Sequence, residues 1–242
     1  MYGRINLGAM MLSADPVVVA PAVVEVTNFQ KVERPSGSGS PAVLSNYGPS
    51  DGDDRILIVI GLVRAGTDLG DTTKTFGASS LAQVVSESAS ARDVCINDLS
   101  LGSGTSTASA SITLSYTDTG SDTSIVIALT GHNLVQQTAE ASDAKGELST
   151  YNVADNIDAV ITGITTGALV VSVCYSHSAT GAITIDGSGN QTLAGTAAVT
   201  SGNKIQVTVG WSVSTGTSET HRYHVANNGE NASWIIAAWE PA

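Results

Sequence analysis

Between positions 56 and 63 the chain reads ILIVIGLV, a run with no polar break. Such a run suits a strand covered on both faces. Other stretches alternate. ASASITLSYT (108–117) puts Ala108, Ala110, Ile112, Leu114 and Tyr116 on one side and Ser or Thr on the other. KIQVTVGWSV (204–213) does the same with Ile205, Val207, Val209, Trp211 and Val213. A period of two is the strand period. SIVIALT (124–130), ALVVSVCY (168–175), AITID (182–186) and SWIIAAWE (233–240) predict further strands, and VVEVTNFQKV (23–32), RDVCIN (92–97) and RYHVA (222–226) less regular ones. Clusters such as TGSD (119–122) and DGSGN (186–190) separate them as turns. Two segments carry helical spacing instead: Leu81, Val84, Val85 and Ala89 within 80–92, and Val153, Ile157, Val160 and Ile161 within 151–161. Each predicts a turn or two of helix. No internal repeat of fixed period is visible.

About eight to ten short strands without long helices predict an all-β fold, a jelly-roll-like antiparallel β-sandwich. Proline placement divides the chain. Pro16, Pro21, Pro35, Pro41 and Pro49 precede position 50, and only Pro241 follows it. Proline cannot donate to a strand ladder. Residues 1–50 therefore read as an extended, proline-containing anchoring arm with one early strand, and 51–242 as the sandwich domain. Ile56, Ile58, Ile60, Leu114, Val171, Val207, Trp211, Ile236 and Trp239 are the expected core.

Composition supports strands over helices. Thirty Ser, 26 Thr and 25 Gly are poor helix formers, while 42% hydrophobic content supplies a core. Ten basic against 22 acidic residues give a net charge of −12. Lys31, Lys74, Lys145 and Lys204 are scattered, so no basic stripe exists to hold a phosphate backbone and no nucleic-acid partner is expected. No window approaches the ~18 apolar residues of a membrane span, so no membrane insertion is expected. Asp15, Pro16 and Pro21 break the apolar N-terminal stretch, which predicts no secretory leader and synthesis for use in the cytoplasm. Cys95 and Cys174 each sit in an apolar run and read as buried thiols, with a single bridge between them as the alternative.

Catalytic patterns are thin. His132, His177, His221 and His224 are the only histidines, and only His221 and His224 lie close together. Three apart on a strand they face opposite sides, which argues against a shared zinc. Neither a G-x-S-x-G elbow nor a phosphate-binding glycine loop occurs. The densest acid cluster, Asp51, Asp53 and Asp54 in DGDD, is the one candidate calcium site, set against a solvated turn. No catalytic residue and no cofactor is expected.

The order of motifs resembles a loosely defined family of phage and bacterial-surface β-sandwiches. In that family an "NRLLVV"-like strand, here DDRILIVIGLV (53–63), precedes a short hairpin, here KTFGASSLAQV (74–84). A strand with a Gly-rich turn follows, here VCINDLSLGSGT (94–105), then ASASITLSYT, then TGALVVSV (166–173), and a closing strand, here SWIIAAWEPA (233–242). The resemblance spans residues 51–242. It implies a non-enzymatic virion structural protein: capsid decoration, head fibre or spike, or tail-associated attachment protein. It would form a homo-oligomer and meet other virion proteins through the N-terminal arm, with a host surface glycan as a further partner. The alternative is a carbohydrate-binding or adhesive module at a cell surface.

Overall fold

The computed structural model describes residues 23–64, 69, 73–88, 92–104, 107–134, 139–176, 182–187 and 190–242, with the side chains of 146–148 set aside. Its described elements are all strands. The first half holds β1 (Glu25–Arg34), β2 (Ala42–Tyr47), β3 (Gly52–Arg64), β4 (Lys74–Phe76), β5 (Ser79–Ser80), β6 (Ala82–Ser88), β7 (Arg92–Gly104), β8 (Ala110–Leu114) and β9 (Thr123–His132). The second half holds β10 (Ala141–Tyr151), β11 (Ile157–Thr162), β12 (Leu169–Ser176), β13 (Ile183–Ile185), β14 (Thr192–Val199), β15 (Ile205–Val213), β16 (Ser218–Val225) and β17 (Glu230–Trp239).

Each half is a rolled hairpin. In the first, β1 pairs β9, β2 pairs β8 and β3 pairs β7, all antiparallel. In the second, β10 pairs β17, β11 pairs β16 and β12 pairs β15. That nesting is the jelly-roll pattern. It yields a large sheet β1-β9-β3-β7-β6 beside a small one β2-β8-β4-β5, then β10-β17-β12-β15-β14 beside β11-β16-β13. Apart from β5, which has no counterpart, the halves correspond strand for strand, with β6 and β14 as the matching additions at one edge. The large sheets pack face to face, with β10 against β6 and β1 against β14. Those two contacts exchange under the correspondence, so the seam is a pseudo-two-fold interface of the kind a symmetric dimer makes.

Four layers result. One core lies between the large sheets and takes Ile56, Ile58 and Ile60 from β3 with Val171, Val207 and Trp239 from the second half. Two outer cores lie under the small sheets, one around Leu57, Val59 and Leu114, the other around Val170, Tyr223 and Ile236. The unbroken apolar runs follow from this arrangement: β3, β9, β12 and β17 have a layer on either side. Burying one Leu, Ile or Val side chain is worth roughly 1.5–3 kcal/mol, so these strands anchor the fold.

Several sequence expectations change. Residues 25–47 are not an arm with one strand but β1 and β2, integral to both sheets of the first half. The expected contacts of residues 1–22 fall outside the described residues. Residues 82–88 are strand β6, not helix, and a bulge between Gln83 and Val85 produces the helix-like spacing. The second expected helix is a turn followed by β11, whose Ile157, Ala159 and Ile161 point inward while Val153 and Val160 are exposed. Trp211, placed in the core by its alternation, is only partly buried. The other residues of the expected core are buried.

Candidate functional site

Reactive side chains cluster in the outer core of the second half. Ser172 on β12, Ser212 on β15, and His221 and Tyr223 on β16 are all buried. The Ser172 hydroxyl meets His221 Nδ1 at 2.6 Å and the Tyr223 hydroxyl at 2.5 Å, and Ser212 Oγ meets His221 Nε2 at 2.8 Å. Burial pushes His221 down to about 3 and raises the Tyr223 phenol. The histidine is neutral, and both ring nitrogens are held by hydroxyls. A serine hydrolase needs a carboxylate on the far nitrogen and a route for substrate. Here a second serine takes that nitrogen and the small sheet closes the route. The network satisfies buried polar groups and fixes how the layers sit.

A second serine–histidine contact lies at the edge of the first half. His132 Nε2 is 2.7 Å from Thr27 Oγ1 and 3.3 Å from Ser50 Oγ, and Thr27 and Ser50 also touch. Gly52 abuts the Nδ1 edge so closely that a Cβ there would overlap the ring. Burial lowers the His132 pKa.

The candidate calcium ligands do not converge. Asp51, Asp53 and Asp54 are exposed, Asp54 Oδ1 accepts from Ser103 Oγ at 2.7 Å, and the Asp53 and Asp54 carbonyls accept from the Asn133 and Leu134 amides. Among the described residues no three His, Cys, Asp or Glu side chains gather as metal ligands. His221 faces the core, whereas His224 faces outward, 3.5 Å from Asp186; His177 lies outside the described residues. Cys95 and Cys174 are both free and sit in different outer cores, with burial raising each thiol pKa.

The accessible geometry is at the seam between the halves. Two clefts open there, of about 300 and 320 Å³. One lies between β1 and β14, the other between β10 and β6, so the pseudo-two-fold exchanges them. The registers agree: Asp98 on β7 pairs with Ala82 of β6, and Trp211 on β15 pairs with Thr192 of β14. Matching bulges, Gln83/Val85 and Leu193/Gly195, splay the edge strands at both places. Bulges re-aim side chains and are common beside functional sites.

The chemistry of the two clefts has diverged. The β1–β14 cleft presents Phe29, Trp211 and Leu193, with Thr27, Asn28 and Thr192 beside them. The Phe29 ring lies over Gly195, where a Cβ would stand 2.5 Å from ring carbons. Leu193 is 53% exposed. A second bulge, on β1 between Thr27 and Gln30 with Asn28 at φ 54°, opens the facing strand. Among the described residues the β6–β10 cleft has no aromatic lining; it presents short aliphatic side chains with Asp98 and Glu140. No protein-family model, curated protein or solved structure matches the chain. Sequence reasoning singled out Trp211 but missed Phe29, Leu193 and Asp98. No local signal marks them, because each cleft is formed by strands far apart in the chain.

Proposed function

We propose that this chain is a non-enzymatic structural protein of a virion, made in the host cytoplasm and assembled as a homo-oligomer, that contacts host glycan through the aromatic cleft. The observation that carries this reading is the cleft itself. Partly exposed Trp211 and Phe29 offer flat apolar faces beside hydroxyl and carboxamide groups at the open seam. Aromatic platforms with a few polar neighbours suit the apolar face and hydroxyl rim of a sugar ring. The Ser172–His221–Ser212 set, by contrast, is enclosed.

The cleft is shallow and holds few anchors, so one site binds weakly and repetition on an oligomer supplies avidity. The motif order of residues 51–242 supports the setting of a decoration, fibre or tail-attachment protein. The test compares the assembled protein with monomer on host-surface glycans, using Trp211→Ala as the control. Binding by the assembly that the substitution abolishes is the expected result. Equal binding by both chains would assign recognition elsewhere. No binding by either would leave a building block without receptor function.

A further inference from the structure

Asp98 is enclosed yet forms part of the β6–β10 cleft. Its Oδ2 accepts from Trp239 Nε1 at 2.9 Å, across the seam between the two large sheets. The Ala139 backbone amide also bonds this carboxylate, while Oδ1 is buried and has no partner at hydrogen-bond distance. A buried carboxylate oxygen left unpaired is costly, and native proteins rarely keep one without use. The second carboxylate of the cleft is already engaged: Glu140 accepts from the Thr165 amide at 3.1 and 3.2 Å and from its hydroxyl at 2.9 Å. The Gln83 carboxamide is held by Lys74 at 2.8 Å and Ser86 at 3.0 Å. One acceptor therefore stands open.

The walls around it are short and aliphatic: Ala82, Val84 and Ala139. Among the described residues no basic side chain lines the cleft. A bare metal ion would find too few ligands, since no group of three converges among the described residues. An anion would meet two carboxylates. A cation that carries its own hydrocarbon stem satisfies both features, with methylenes along the aliphatic walls and the charge at the floor. We infer that this cleft receives a lysine or arginine side chain of a partner protein, with Asp98 Oδ1 as its acceptor. The inference stands apart from the glycan reading, which concerns the opposite cleft and can fail without it.

The Trp239 indole N–H is a built-in reporter, because it is bonded to the other oxygen of the same carboxylate. The experiment follows that resonance in the full chain by ¹H–¹⁵N NMR during titration with acetyl-lysine amide and acetyl-arginine amide. Acetyl-norleucine amide serves as the uncharged isostere. A saturable shift with at least one cationic probe and none with norleucine is expected. Asp98→Asn should weaken that binding about thirtyfold, as loss of one member of a buried charge pair does. Ser142→Leu, at an exposed position whose side chain faces Val84 of β6, narrows the cleft and leaves the carboxylate in place; it should block the probe without moving the resting indole signal. If the asparagine variant fails to fold, the leucine variant decides. No saturable shift, an equal response to norleucine, or unimpaired binding by Ser142→Leu each overturns the assignment.

Discussion

Acid should loosen this protein through one histidine. His221 is held near a pKa of about 3 by burial, against its ordinary 6.5. In the folded chain the ring stays neutral down to the lower value, whereas the unfolded chain takes up a proton below the upper one. Protonation then favours unfolding, so the full stability is present above pH 6.5 and drains as pH falls towards 3. Each pH unit inside that window is worth about 1.4 kcal/mol. Between pH 7 and pH 5 the loss attributable to His221 comes to about 2 kcal/mol. The assay is urea unfolding at several pH values on the parent and on His221→Gln. Glutamine keeps one donor and one acceptor for Ser172 and Ser212 but cannot take a proton. Its own cost at neutral pH drops out when the two pH profiles are compared by slope. His132, also lowered by burial, leaves some acid sensitivity in the variant. Parallel profiles for the two proteins would refute the reasoning and put the acid sensitivity elsewhere.

Two further outcomes follow from the packing. Gly61→Ala would set a Cβ 2.7 Å from Leu114 Cδ1 and 2.9 Å from Leu69 Cδ2, inside the outer core of the first half; overpacking of that kind should cost about 1–3 kcal/mol in urea unfolding, and a neutral result would mean that those leucines swing aside. Expressed alone, residues 139–242 should associate or aggregate by light scattering, because the inner face of their large sheet loses its cover; a soluble monomer would show that the seam is not essential.

Much of the strand content was legible. ILIVIGLV declared a strand with both faces covered, and β3 is buried on both. The alternation of 108–117 put Ile112, Leu114 and Tyr116 inward, where they are found. Reading failed where geometry departs from regular pleating. The β6 bulge shifts side-chain parity by one, so Leu81, Val84 and Val85 mimic a helix stripe. In β11 an outward apolar residue, Val160, obscured the alternation of Ile157, Ala159 and Ile161.

The strands, and which of their faces shun water, are written in the residue order, because a side-chain period of two survives in any β context. That order did not determine what lies against each face. The polar side of KIQVTVGWSV reads as a solvent face, yet Thr208 and Ser212 are buried beneath a third sheet, Ser212 bonded to His221 from another strand. The doubling of the jelly roll was likewise hidden, since nested pairing needs apolar alternation at matching places and no shared residue identity. Only the tertiary structure brought Trp239 over Asp98 and Phe29 beside Trp211 at the seam. Such pairs depend on register, bulges and sheet-to-sheet docking, long-range geometry that no local window of the chain encodes.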